Sequence, residues 1–228
     1  MATEKTRKSI VEAFMALAAE TPWNEMTLPA IADKAGITLA ALRDAYDGKM
    51  AILEDFSRRI DMAVLKGGDD DDMAGEPARD RLFDVLMRRL DLLVPYREGL
   101  RGLMRSAKRD PLLLAAFNRI AVTSQLWMLS AAGIEAAGPA GMVKAQGLAV
   151  AFAKVLRTWL REDDPEWPKT MAALDRELTR GERALHRLDR LACLMPRPFR
   201  PDGCRRHRRR HDEEPAASND DEAAEPAA

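Results

Sequence analysis

The sequence predicts an all-α protein made of two helical domains and a tail. Apolar residues recur at three- and four-residue spacing from Lys5 to Leu194, the period of one helix face. Apolar residues make up 46% of the chain and charged ones 32%, aromatics are only 5%, and β-branched runs are scarce. Helix punctuation is dense, with Thr and Asp before apolar runs and Gly or Pro after them. A chain of 228 residues is long enough for one large core or two small ones.

The first stripe, Lys5 to Glu20, puts Ile10, Phe14 and Leu17 on one face with Val11 and Ala18 beside them. Thr21-Pro22-Trp23-Asn24 breaks it, and Trp23 is expected to pack beneath the next segment as core. The stretch from Thr27 to Leu53 organises the chain. Thr27 is a good N-cap, Pro29 sits in the first turn where a missing N–H costs little, and Gly36 supplies the left-handed residue that ends the helix. Ile37 plugs the turn, and Thr38 caps a second helix through Ala45 that carries Leu39 and Leu42. Two such helices around a Gly turn make a helix-turn-helix, whose usual job is to lay the second helix in the DNA major groove. Asp47-Gly48 then turns the chain, and Lys49 opens a longer helix to Lys66. Ile52, Phe56, Ile60 and Val64 on that helix tie head to body.

Gly67-Gly68 and the acidic run Asp69–Asp72 mark a boundary, read as a solvated loop and not as a metal site. A helix from Ala78 carries Leu82, Leu86, Leu90 and Leu93 and ends at Pro95. A short basic helix follows, Tyr96 to Lys108. Asp110-Pro111 opens a long one with Leu113, Phe117, Ile120, Trp127 and Ala131. Gly138-Pro139 starts the next, with Leu148, Phe152, Val155 and Trp159, and the last runs from about Glu166 to Leu194. The domains expected are a head at 1–66, a body at 78–195 and a disordered tail at 196–228. In the tail, the basic block Arg205–His211 precedes seven acids and no bases.

Composition excludes several functions. The net charge is −1, and in Met1–Lys66 nine Lys/Arg against ten Asp/Glu also give −1, so bulk charge makes no case for nucleic acid. Two late cysteines, Cys193 and Cys204, suggest no disulfide framework and fit a reducing cytoplasm. The charged N-terminus lacks a signal core, and the longest uncharged run, Ile120–Ile134, is too short to span a bilayer. No cofactor is expected and no catalytic or metal residues are assigned. No Ser/His/Asp set, phosphate loop or paired acids appear, and Cys204, His207 and His211 lack a fourth zinc ligand.

Thr27, Ile31-Ala32, Ala35-Gly36-Ile37, Leu42, Tyr46, Lys49 and Leu53 together resemble the N-terminal domain of TetR-family transcriptional repressors. The resemblance implies a homodimer that binds operator DNA through Thr27, Thr38, Arg43, Tyr46 and Lys49. It also implies a body that dimerises through its last two helices and holds an apolar or amphipathic small molecule. Met104, Phe117, Trp127, Met128, Phe152 and Trp159 are the expected ligand contacts. The reading helix departs from the family, with Leu39, Ala40, Arg43, Asp44 and Ala45 where cationic and aromatic residues are usual. Asp44 and Asp47 would repel phosphates. A second resemblance covers Trp159–Asp164 and Thr170–Leu178, which look like the C-terminal part of the coenzyme Q accessory proteins. These are lipid- or isoprenoid-binding relatives that assist ubiquinone biosynthesis and do not bind DNA. On that reading Arg183, Arg187 and Arg190, alternating with leucines over 183–194, form a helix that lies on anionic lipid.

Overall fold

The computed structural model describes residues 2–68 and 75–193, with side chains through 187. Residues up to Gly181 form one compact unit, and the last helix continues beyond it. The acidic loop 69–74 and the tail from 194, with Cys204, His207 and His211, lie outside the described residues.

Helix α1 (Glu4–Glu20) starts at Thr3, whose hydroxyl accepts from Thr6 N at 3.2 Å, and buries Ile10, Phe14 and Ala18. In α2 (Leu28–Ala35) Thr27 accepts from Ala30 N at 3.3 Å, and Gly36 ends the helix at φ 68°. In α3 (Leu39–Ala45) Thr38 accepts from Ala41 N at 3.1 Å. Each hydroxyl satisfies an N–H that the helix itself leaves unpaired. Helix α4 (Lys49–Lys66) leads into α5 (Ala78–Leu93), and a 3-10 turn over Val94–Tyr96 absorbs Pro95. Helices α6 (Arg97–Ala107), α7 (Pro111–Ala131), α8 (Gly138–Trp159) and α9 (Pro168–Cys193) complete the described chain. Every helix expected from the stripes is present, and no end is displaced by more than three residues where both are defined. The last helix opens at Pro168, because the Glu162 carboxylate caps it by accepting from Lys169 N (2.7 Å) and Thr170 N (2.8 Å).

Helix α1 packs on α2, α4 and α6, while α7 lies against α4, α5, α6 and α8. The α1–α6 approach is unusually close. A Cβ at Gly99 would stand 2.5 Å from the Met15 carbonyl oxygen, and one at Gly102 only 1.7 Å from that of Ala18. Only glycine admits this crossing. Arg97 and Arg101 on α6 donate to the last carbonyls of α8: Arg97 Nη2 to Trp159 O at 2.5 Å and Arg101 Nη2 to Leu160 O at 2.5 Å. Cations at a helix C-terminus also suit its dipole.

Helix α7 is 21 residues long with mean hydropathy 1.3, enough by length and composition to cross a membrane, with 33% of its apolar window buried. The charge-free run Ile120–Ile134 understates it, since Arg119 interrupts the run but not the helix. Here α7 packs against four other helices, yet Leu112, Leu114 and Trp127 on it stand exposed.

Candidate nucleic-acid interface and body interior

The α2–Gly36–α3 turn leaves one face of α3 outward: Leu39 is 50% exposed, and Ala40, Arg43 and Asp44 are exposed beside it. Thr27 and Thr38 are also exposed, each with its hydroxyl oxygen accepting the cap bond and its proton available to a second acceptor. Arg43 Nη1 pairs with Asp47 at 2.5 Å, with both side chains largely in solvent. An exposed pair of this kind is worth roughly 0–1 kcal/mol, so Arg43 exchanges partners at little cost.

Two of the five expected DNA contacts are turned inward. Tyr46 is buried, and its hydroxyl donates to Asp55 Oδ2 at 2.5 Å. Burial, then the hydrogen bond to the Asp55 carboxylate, push the Tyr46 hydroxyl up to about 12. The Arg7 guanidinium lies 5.0 Å from the centre of its ring. Burial pushes the Asp55 carboxyl up, but hydrogen bonds from Tyr46, Arg58 and Arg59 outweigh it and hold the group below its ordinary value. This network fixes the end of α3 to α4. Lys49 Nζ donates to the carbonyls of Trp23 (2.6 Å) and Met26 (2.8 Å) and sits 4.8 Å from the Trp23 ring centre. Its ammonium thus holds the loop before α2, and burial pulls its pKa down. Tyr46 and Lys49 support the exposed face of α3 from behind. The family resemblance implied both as DNA contacts, because it carries residue positions and not the way their side chains pack.

The six expected ligand contacts fall in separate places. Phe117 meets Trp23 edge-on at 5.5 Å. Trp159 is fully buried against Trp167 at 6.0 Å, with Arg97 at 5.1 Å from its ring centre. Met104 is half-buried against the core, whereas Trp127 is 54% exposed and faces outward. Met128 and Phe152 do converge, and what they converge on is a charge. Arg89 on α5 is buried, paired with Asp61 of α4, with its Nη1 3.8 Å from Met128 Sδ and its guanidinium 5.8 Å from the Phe152 ring centre. Ser124 Oγ donates to Asp61 Oδ1 at 2.7 Å. Gln125 beside it is 1% exposed, and its Oε1 lacks a hydrogen-bond partner, as does Arg89 Nε. Sequence reading missed this cluster, since Arg89 reads as half of a solvated Arg-Arg step. The one signal was its place in the leucine stripe, three residues after Leu86.

Two clefts open elsewhere. One of about 720 Å³ lies between the end of α1, Trp23 and the α6–α7 junction, with Arg105, Lys108 and Arg109 on its wall. The other, about 270 Å³, is lined by Arg157, Thr158, Arg161, Glu162 and Lys169. Neither includes any of the six expected ligand contacts.

No protein-family model matches the chain, and no curated protein does. Solved structures do. A TetR transcriptional regulator from Nitrosomonas europaea ATCC 19718 superposes with TM-score 0.59 at 22% identity, over 77% of this chain and 97% of that one. A TetR transcriptional regulator from Rhodococcus sp. RHA1 gives 0.53 at 19%, over 78% and 96%. A putative TetR-family regulator from Rhodococcus sp. gives 0.51 at 18%, over 78% and 98%. At these identities the likeness establishes the fold: the chain has the all-α architecture of TetR-type regulators.

Proposed function

We propose that this chain is a ligand-responsive transcriptional repressor, cytoplasmic and not catalytic, that binds operator DNA as a homodimer. Its head is 1–66 and its body 78–195. The observation that carries the reading is the capped α2–Gly36–α3 unit with its outward Leu39, Ala40, Arg43 and Asp44, set in the fold of solved regulators. Arg43 leaves Asp47 to pair with a guanine edge, Thr27 and Thr38 donate to phosphates, and Tyr46 and Lys49 hold the face in register. The dimer forms through α8 and α9, where Met142, Val143, Val150 and Met171 present apolar surface to solvent. A small molecule in the body shifts the population of head positions through the close α1–α6 contact, so that DNA and ligand oppose each other.

One observation favours a second reading. The head carries net −1, and Arg43, the cation on the outward face of α3, is already paired with an acid. That suits a lipid- or isoprenoid-binding accessory protein of ubiquinone biosynthesis that keeps the fold without reading DNA, its segment 183–194 resting on anionic membrane. That segment is helical to Cys193, and its side chains from 188 onward lie outside the described residues. Fluorescence anisotropy with the intergenic DNA beside the gene, against a scrambled duplex, separates the two. The repressor binds the native duplex with sub-micromolar affinity and the scrambled one far more weakly. Equal weak binding to both, with an isoprenoid or acyl species extracted from the purified protein, gives the second reading its place.

A further inference from the structure

The apolar residues of α3 divide into two sets. Leu42 and Ala45 are buried and dock the helix on the rest of the head. Leu39 and Ala40, in the first turn, face solvent instead, with Leu39 50% exposed. A lone exposed leucine needs no explanation in itself. Its position on this helix does. Leu39 stands one turn before Arg43, and Ala40 one turn before Asp44, so both lie on the outward face with the cation assigned to a guanine. In a helix-turn-helix the N-terminal residues of the second helix meet base edges. On this chain those residues carry no hydrogen-bonding side chain.

We propose that Leu39, flanked by Ala40, selects thymine through its 5-methyl group, and that the operator half-site places this thymine about two base pairs from the guanine taken by Arg43. The inference rests on the regulator reading above and names the DNA that the regulator selects. Every base pair shows hydrogen-bonding atoms in the major groove, and thymine adds a methyl. An alkyl side chain laid over a cytosine amino group or a purine N7 strips water from that polar atom and returns no hydrogen bond. Laid on the thymine methyl, it removes apolar surface from water on both partners. The spacing follows from the helix rise. Four residues advance about 6 Å along the groove, close to two base-pair steps of about 3.4 Å. Charge agrees with this mode of reading. The head is net −1, so phosphate attraction is weak, and methyl contact adds affinity that salt does not screen.

The test is fluorescence anisotropy of the full chain on the intergenic duplex beside the gene, made once with thymine and once with deoxyuridine at every thymine position. A scrambled duplex made both ways is the control. Uracil keeps every hydrogen-bonding atom of thymine and lacks only the methyl. Losing one methyl contact weakens binding about fourfold, so two half-sites in a dimer give a loss of about fifteenfold on the native duplex. The scrambled pair shows no such difference. Leu39→Ala binds the native thymine duplex more weakly and separates it from the uracil duplex by less than about twofold. The side chain is exposed and alanine is the better helix former, so this variant keeps the wild-type fold by circular dichroism. An equal uracil loss in wild type and Leu39→Ala overturns the inference. So does an absent uracil loss while the native duplex still outbinds the scrambled one, and the regulator then stands without it. Native binding no tighter than scrambled overturns both.

Discussion

Gly102→Ala tests the close α1–α6 crossing. An added Cβ would stand 1.7 Å from the Ala18 carbonyl oxygen and 2.9 Å from its carbon. Carbon and oxygen rarely approach closer than about 3.3 Å, so α6 would have to withdraw from α1 by roughly 1.6 Å. The obstacle is backbone, so no rotamer change relieves it, and trimming Ala18 to glycine does not either. Overpacking of this kind costs about 1–3 kcal/mol and sometimes more, and the upper end applies here. For a chain of this size about 3 kcal/mol corresponds to a Tm loss of about 6–12 °C. Calorimetry and urea unfolding followed by circular dichroism measure it. Gly181→Ala is the control: nothing lies within 4 Å of a Cβ there, and replacing a helical glycine gains up to about 1 kcal/mol. A Gly102→Ala protein that melts with the wild type would refute the close crossing and the coupling built on it.

Tyr46→Phe removes the hydroxyl that the buried Asp55 carboxylate accepts, at a cost of about 1.5–3 kcal/mol in urea unfolding, whereas Arg58→Ala, whose side chain is 63% exposed, costs far less. Acid should destabilise the fold below about pH 4, the region of unfolded carboxyl pKa values. Burial raises the Asp55 and Glu162 carboxyls, but their hydrogen bonds outweigh it, and Glu177 is lowered first by its bond from Lys154, so all three sit below their ordinary values. A lowered folded pKa contributes stability that is fully present above the unfolded value and lost as pH falls through the folded one. A flat Tm from pH 6 down to about 3 would contradict it. Val143→Glu with Val150→Glu should convert a dimer to a monomer in light scattering, because both side chains are about half exposed on α8, at 56% and 48%.

What was legible in the sequence was local. Thr27, Thr38 and Gly36 act on backbone groups within five residues, so residue type and position fix their roles, and each expected cap or stop is where it was read. Leucine stripes likewise gave the α5 face. The distant pairings could not be read. Arg89 finds Asp61 only once α4 and α5 lie side by side, and Gly99 and Gly102 meet α1 across more than 80 residues of chain. Helix α7 is apolar on most sides, so its periodicity could not tell Trp127, which faces out, from its neighbour Met128, which is wholly buried. The family resemblance implied Tyr46 as a DNA contact. Its partner Asp55 lies nine residues on, and nothing short of the fold links them.

The central claim is that α3 reads bases through Arg43, and one salt series of fluorescence anisotropy tests it most directly. Wild type and Arg43→Ala are titrated on the native intergenic duplex and on variants changed base by base. The phosphate contacts are the neutral Thr27 and Thr38 hydroxyls, and Arg43 is the one cation per head assigned to DNA. A dimer therefore predicts a log–log salt slope no steeper than about −2, at ~0.9 per cation. Arg43→Ala should lose about 1–3 kcal/mol of preference at one guanine per half-site, with its affinity for scrambled DNA nearly unchanged. An unchanged base preference in Arg43→Ala, or native binding no tighter than scrambled, would contradict the account.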